Sequence, residues 1–117
     1  MQFYFDILSK NKLIMRVSWD TDTKEVKSEW FDAPHFKIPR TMYPDRITWK
    51  NVMNWMETRT VPRTRFGIEE LLTEKFGLKE YNAYAMCKKS HAISMSDYLW
   101  IRFKDEDIEY DDIKIRD

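Results

Sequence analysis

Glycine is scarce in this chain, which has only Gly67 and Gly77 among its 117 residues. A loop that wraps around phosphate groups needs several positions without a side chain, because backbone N–H groups must approach the phosphate closely. Two isolated glycines cannot build such a loop. The sequence therefore excludes the glycine-rich nucleotide sites as a class.

Cysteine and histidine are also rare. Cys87 is the only cysteine, which excludes an internal disulfide and any zinc site with several cysteine ligands. On an amphipathic helix a lone cysteine is usually a small buried side chain, and we expect this of Cys87. His35 and His91 are 56 positions apart, with no carboxylate at a recognised ligand spacing. No metal ion and no cofactor are expected.

Long apolar runs and an excess of one charge are absent as well. No stretch approaches the roughly 18 apolar residues that a membrane span needs, and the N-terminus lacks the pattern of a signal peptide. The chain has 20 basic and 20 acidic residues, and this neutrality argues against a dedicated duplex-DNA binder. We therefore expect a cytoplasmic protein that does not bind membranes.

The neutral total conceals a charge gradient along the chain. Residues 1–40 carry seven basic and six acidic groups, residues 41–90 carry nine and six, and residues 91–117 carry four and eight. The middle is therefore basic and the C-terminal part acidic. These two parts can pair with each other or bind an external partner.

Alternating apolar residues predict an antiparallel β-meander in the first third of the chain. Three stretches rich in aromatic and β-branched residues, beginning near Phe3, Leu13 and Val26, are separated by polar turns. The stretch from Tyr98 to Phe103 has the same character and is expected to join the sheet. Three prolines between the meander and the middle of the chain predict an irregular connection there.

The middle of the chain has the apolar spacing of helices. Thr48 can cap the first helix, whose apolar residues share one face: Trp49, Val52, Met53 and Met56. Two further helices are predicted over about 68–76, with Gly77 as its C-terminal stop, and over about 81–89. The prediction is one α+β domain, with a β-meander in 1–33, a helical part in 46–90, and a strand and acidic tail in 91–117.

Arg59, Arg63 and Arg65 form the most informative charged cluster, with three guanidinium groups within seven residues. Guanidinium groups bind carboxylates and phosphates through two parallel hydrogen bonds. The cluster can therefore mark a phosphate or single-stranded nucleic-acid site, with nearby tryptophans as stacking surfaces. It can equally pair with neighbouring glutamates or with the acidic tail, and we favour this structural pairing.

The residue types of a hydrolase triad occur close together, in His91, Ser94, Ser96 and Asp97. Neither serine lies in the strained Gly-x-Ser-x-Gly turn, and triads are usually assembled from separated segments. Local capping and packing explain these residues better than catalysis does. No catalytic residue is expected.

Several short motifs in the second half of the chain carry a family resemblance. Arg59, Pro62 and Arg65 are spaced as R-x-x-P-x-x-R after a tryptophan-bearing helix, and a Gly77-Leu78 helix end follows. The run from Ser90 to Ile101 comes next. Together these resemble the segment that precedes the kinase core in HipA-like serine/threonine kinases of Gram-positive bacteria, of the toxin–antitoxin type. The likeness covers roughly residues 50–115.

The chain departs from that family pattern in three ways. Ala92 replaces the family's glycine, and the order Asp-x-Tyr-Trp becomes Asp97-Tyr98-Leu99-Trp100. The catalytic-loop aspartate, the metal-binding Asp-Phe-Gly motif and a phosphate loop are also missing, so phosphoryl transfer has no machinery here. The resemblance therefore implies a stand-alone accessory module rather than an enzyme.

The resemblance implies a bacterial, mobile-element protein that acts as a non-catalytic interaction or regulatory module. Its expected partner is a HipA-like kinase or another protein, and the sequence leaves its oligomeric state open. The candidate interaction residues are Arg59, Arg63, Arg65, Ser94, Asp97 and Trp100. The alternative is a phage or mobile-element inhibitor, or a nucleic-acid-associated protein, that uses the Arg59/Arg63/Arg65 segment.

Overall fold

Four antiparallel strands form one sheet in the part of the chain that the computed structural model describes, residues 2–31, 38–61, 64–94 and 97–113. In chain order the strands are β1 (Gln2–Ser9), β2 (Lys12–Asp20), β3 (Val26–Trp30) and β4 (Leu99–Phe103). Their order across the sheet is β3-β2-β1-β4. The meander and the late strand that joins it are therefore confirmed, as is the α+β class.

Helices fill the connection between β3 and β4 and follow β4. They are α1 (Trp49–Thr58), α2 (Ile68–Leu71, continuing as a π-helical turn over Leu72–Phe76), α3 (Ala83–Ser90) and α4 (Tyr110–Ile113), with a 3-10 turn at Arg40–Met42 before α1. The 3-10 turn lies in the proline-rich connection that was expected to be irregular. No described helix has the length and apolar content to cross a bilayer.

The helix ends follow the capping residues in the sequence. The Thr48 hydroxyl oxygen accepts a hydrogen bond from the Asn51 N–H at 3.2 Å, which starts α1 as predicted. Gly77 has a φ of +65° and ends the second helical segment, also as predicted. The third helix begins at Ala83 rather than at Tyr81, because the side chain of Asn82 caps it.

The main core lies between one face of the sheet and α1 and α3. Phe5, Ile7 and Val17 on the sheet are completely buried, and so are Val52 and Met56 on α1. Alternation places these strand residues on one face, while the 3.6-residue period of α1 brings its apolar positions against them. Burial of these side chains holds the helices on the sheet.

Two details of the burial differ from the sequence expectation. On α1, Trp55 is buried, whereas Trp49 is 37% exposed at the first turn and Met53 is only half-buried. On the opposite face of the sheet, Leu8 and Trp100 are also buried, in a second small cluster with Tyr110 of α4. The segment from Ile108 to Ile113 packs on that end of the sheet, so both faces of β1 are apolar there.

Candidate functional site

Arg59 lies at the C-terminal end of α1, and the segment between α3 and β4 encloses its guanidinium group. Nη1 and Nη2 donate to the two carboxylate oxygens of Asp97 at 2.7 and 2.9 Å. Nε donates to the Ala92 carbonyl at 3.0 Å, and Nη2 also donates to the Leu99 carbonyl at 2.8 Å. Only 8% of the Arg59 side chain is exposed. Arg59 is therefore a structural residue that joins three segments.

Asp97 completes this junction from the side of β4. Its Oδ1 also accepts a hydrogen bond from the backbone N–H of Leu99 at 3.0 Å, which orients the first residue of the strand. An arginine–carboxylate pair with two parallel hydrogen bonds is both stronger and more directional than a single bond. We call Arg59, Asp97 and the carbonyls of Ala92 and Leu99 the Arg59 junction.

Arg65 lies on the surface loop between α1 and α2, in a different environment from Arg59. It is exposed, and the side chain of the next residue, Phe66, is fully exposed at 101% of its reference area. Gly67 follows with a φ of +76° and precedes α2. Arg63 lies outside the described residues. We call residues 64–67 the Phe66 loop.

Trp100 and Ser94 are the remaining candidate interaction residues. Trp100 is completely buried against Leu8 and Tyr110, and its indole N–H donates to the Lys10 carbonyl in the turn between β1 and β2. Ser94 is half-buried in the connection between α3 and β4. Trp100 therefore presents no surface in this fold and holds the second cluster together.

The residues of the considered hydrolase triad are held by different partners. His91 Nε2 lies 2.8 Å from Glu106 Oε2, and the His91 ring lies between those of Trp100 and Phe103. Both carboxylate oxygens of Asp97 accept hydrogen bonds from Arg59 instead. Ser96 lies outside the described residues. Glu106 also accepts the Phe103 backbone N–H at 2.7 Å, so the His91–Glu106 pair fixes the turn that follows β4.

Cys87 lies in the main core on α3, as expected. It is completely buried, and its Sγ lies 3.5 Å from the Met56 carbonyl. Burial raises the pKa of the Cys87 thiol to about 12, although the nearby Arg59 guanidinium acts in the opposite direction. The thiol is therefore protonated and inert at neutral pH.

A buried carboxylate on the outer face of the sheet was not found from the sequence. Asp6 on β1 is only 4% exposed and accepts hydrogen bonds from Arg16 Nε and Nη2 at 2.7 and 3.2 Å. Arg102 Nη2 lies 3.8 Å from the same carboxylate. The hydrogen bond to Asp6 raises the pKa of Arg16. Asp6 lies opposite Arg16 on β2 and opposite Arg102 on β4. This charge pairing could be predicted only if the pairing of the strands were already known.

A cleft of about 370 Å³ beside the turn between β2 and β3 was also not found from the sequence. Trp19 and Trp49 line it, with ring centroids 5.0 Å apart and an interplanar angle of 45°. The other described residues that line it are Asp20, Thr21, Lys24 and Val26. The sequence contained a signal here, since Trp19 directly precedes a polar turn, but only the fold brings Trp49 beside it. We call this the tryptophan cleft.

Neither a cluster of metal-ligating side chains nor a comparison with known proteins indicates a further site among the described residues. Among the described residues, no group of three or more histidine, cysteine, aspartate or glutamate side chains could hold a metal ion. Comparisons with protein-family models, curated proteins and solved structures find no match to this chain. The resemblance to HipA-like kinases therefore stays a prediction from the sequence motifs. The Phe66 loop and the tryptophan cleft are the candidate sites that the fold presents at its surface.

Proposed function

We propose that this protein is a non-catalytic module that binds a protein partner through the Phe66 loop. The observation that carries the proposal is a fully exposed phenylalanine next to an exposed arginine on one surface loop. Aromatic and arginine side chains are enriched in the parts of interfaces that contribute most of the binding energy. An exposed ring also gains roughly 25 cal/mol for each Å² of apolar surface that a partner covers.

The chemistry of the loop defines the surface that it fits. Phe66 requires an apolar pocket, and Arg65 favours a carboxylate at the rim of that pocket, where two parallel hydrogen bonds can form. The sequence motifs support a HipA-like kinase as the partner that presents this pocket. In this proposal Arg59, Asp97 and Trp100 do not contact the partner, because Arg59 and Asp97 bind each other at the C-terminal end of α1 and Trp100 is buried in the second cluster.

Co-purification with a HipA-like kinase encoded beside this gene tests the proposal. The wild-type protein is expected to form a complex at micromolar concentration. Phe66→Ser and Arg65→Ala are each expected to weaken it at least about tenfold, which corresponds to a loss of about 1.4 kcal/mol. Absence of a complex at micromolar concentration would contradict the proposed partner.

Two control variants test whether a loss of binding is specific to the Phe66 loop or follows from removing any exposed aromatic or basic side chain. Phe31→Ser removes another exposed aromatic side chain, which is 46% exposed at the end of β3, and Lys79→Ala removes an exposed basic one. Both are expected to leave binding unchanged. Equal losses in the controls and in the loop variants would argue against a specific role for the Phe66 loop.

The nucleic-acid alternative has less support from the geometry. Arg59 donates to Asp97, Ala92 and Leu99 and is enclosed, so it is not available to a phosphate group. That alternative then depends on Arg63 and Arg65. Oligonucleotide binding that falls steeply with salt concentration, with a slope reduced by about one in Arg65→Ala, would support it in place of protein binding.

A further inference from the structure

The outer edge of β4, at one side of the sheet, is closed by hydrogen bonds within the chain. The Lys104 N–H bonds to the Tyr4 carbonyl on β1, and backbone direction alternates along a strand, so Leu99, Ile101 and Phe103 point their N–H groups away from β1. These groups donate to Asp97 Oδ1 at 3.0 Å, to the His91 carbonyl at 2.7 Å and to Glu106 Oε1 at 2.7 Å. A further strand cannot pair here without breaking these bonds.

The outer edge of β3, at the other side of the sheet, is open. The Phe31 N–H donates to the Ile14 carbonyl on β2 at 2.8 Å, so the same alternation turns the backbone groups of Val26, Ser28 and Trp30 away from β2. Across the residues that the structure describes, no group accepts a hydrogen bond from these three N–H groups. Such a row of unpaired N–H and C=O groups is a template for another strand.

The side chains of β3 are complementary to a second copy of β3 that runs in the opposite direction. About a two-fold axis through Ser28, Lys27 faces Glu29 of the second copy on one side of the strand. Val26 faces Trp30 of the second copy on the other side. Pairs of opposite charge and pairs of an aromatic with a β-branched side chain both stabilise antiparallel strands.

The backbone of β3 selects the same register. When Ser28 faces Ser28 of the second copy, Val26, Ser28 and Trp30 all exchange their outward N–H and C=O bonds with that copy. A shift by one residue would turn the wrong backbone groups toward each other. A shift by two residues would oppose Lys27 to Lys27 or Glu29 to Glu29, and like charges directly opposite are destabilising.

The charge of Glu29 also ends an alternation that runs across the sheet. Arg102 on β4, Asp6 on β1, Arg16 on β2 and Glu29 on β3 lie opposite one another in a single row. Arg16 Nε and Nη2 donate to Asp6, and Glu29 is exposed at the open end of the row. Lys27 of the second copy comes next in this row, so it continues the alternation.

Lys27 has one charged neighbour in its own chain. Its Nζ lies 3.8 Å from Glu25 Oε2, and the two side chains are 75% and 67% exposed. A pair with this exposure contributes little to stability. Because the lysine ammonium group has three donors, Lys27 can keep this contact and bind Glu29 of the second copy as well.

We propose that β3 pairs with β3 of a second copy of this chain about a two-fold axis through Ser28, which joins two four-stranded sheets into one. The proposal does not depend on the Phe66 loop or on its partner. Because β3 has only five residues, the contact is small. We expect a dissociation constant of about 10–500 μM, as for weak interfaces.

Sedimentation velocity of the purified chain between about 5 μM and about 1 mM tests the proposal. We expect a monomer at the low end and a dimer at the high end. Over the same range, hydrogen exchange at the Val26, Ser28 and Trp30 amides is expected to slow. A chain that stays monomeric at about 1 mM would overturn the proposal, and so would a dimer in which these exchange rates do not change.

Charge exchange on β3 tests the two-fold register. Lys27→Glu and Glu29→Lys each place like charges opposite one another and are expected to weaken dimerisation at least about tenfold. When the two single variants are mixed, every facing pair has opposite charges again, so a heterodimer is expected. Lys79→Glu, at an exposed position outside the sheet, is the control and should leave dimerisation unchanged. A mixture that stays monomeric would contradict the register.

Two substitutions at Ser28 test the backbone pairing. Ser28→Pro removes the outward N–H group, whereas Ser28→Ala keeps it, and both lose the hydrogen bond from Ser28 Oγ to the Met42 carbonyl at 3.0 Å. We expect Ser28→Pro to abolish dimerisation and Ser28→Ala to retain it. Equal dimerisation by the two variants would show that the edge of β3 is not the contact. If Ser28→Pro does not fold, the charge-exchange mixture decides.

Discussion

Arg59 and Arg65 lie six positions apart in one basic segment, yet their surroundings have little in common. Arg59 donates to a carboxylate and two carbonyls and is 8% exposed, whereas Arg65 lies on an exposed loop beside a fully exposed phenylalanine. The difference comes from where α1 ends. Arg59 directly follows its last turn and faces the entry to β4, while Arg65 lies in the exposed loop that precedes α2. A cluster of like residues in a sequence is therefore not one site.

The largest expected effect is the loss of the Arg59 junction. Arg59→Ala leaves the enclosed Asp97 carboxylate without its guanidinium partner, and breaking such a pair costs about 3–5 kcal/mol. Urea unfolding of the variant and the wild type measures this difference in the free energy of unfolding. Arg59→Lys keeps the positive charge but not the two parallel hydrogen bonds, so it is expected to recover only part of the free energy of unfolding that Arg59→Ala loses. A cost below about 1 kcal/mol for both variants would remove the distinction between the two arginines.

Trp100→Phe is expected to cost less, about 1–3 kcal/mol. The smaller ring leaves a cavity beside Leu8 and Tyr110, and the Lys10 carbonyl loses its hydrogen-bond donor. The matched control is Trp49→Phe at the partly exposed position on α1, which is expected to change the free energy of unfolding by less than about 0.5 kcal/mol. Thermal or urea unfolding of both variants measures this difference in the free energy of unfolding. Equal costs would show that the second cluster contributes no more than an exposed tryptophan does.

The buried thiol next to the Arg59 junction predicts an alkaline loss of stability. Because burial raises the pKa of folded Cys87 to about 12, the unfolded chain releases this proton at lower pH than the folded one. The thiol contribution is constant below the unfolded pKa and falls as pH rises above it, by up to about 1.4 kcal/mol per pH unit from about pH 9. Urea unfolding between about pH 8 and pH 11 is expected to show a flatter pH dependence in Cys87→Ala. Identical slopes in both proteins would mean that the thiol is accessible in the folded state.

The smallest stability effect is expected in the Phe66 loop. Arg65→Ala and Phe66→Ser change exposed side chains and should alter the free energy of unfolding by less than about 0.5 kcal/mol. The same variants are expected to weaken partner binding. Substitution of Arg65 is therefore expected to reduce binding but not stability, whereas substitution of Arg59 is expected to reduce stability. A destabilisation by Arg65→Ala as large as that by Arg59→Ala would contradict the claim that only Arg59 has a structural role.

Local features of this fold could be predicted because neighbouring residues cause them. The alternation around Phe5 and Ile7 predicted a strand, Thr48 predicted a helix start and Gly77 a helix end, and all three are observed. These features depend on side chains within one turn or one strand. The α+β class and the late strand followed from adding such local signals together.

The features that could not be predicted are contacts between distant segments. Arg59 and Asp97 are 38 positions apart, and Asp6 meets Arg102 only because β4 pairs with β1. Trp49 was expected in the core from its helical spacing, but it occupies the first turn of α1, where the sheet no longer covers it fully. Each of these outcomes depends on the order of the strands and on the position at which a helix crosses the sheet. Neither can be read from residue spacing.

Chemical modification of arginine tests the division of the basic segment most directly. Phenylglyoxal reacts with accessible guanidinium groups, and peptide mass spectrometry reports the modified fraction at each arginine over time. We expect Arg65 to be modified rapidly in the folded protein, whereas Arg59 should react only when the structure opens around it. Urea should then bring the two rates together. Modification of Arg59 and Arg65 at equal rates in the native protein would contradict the account.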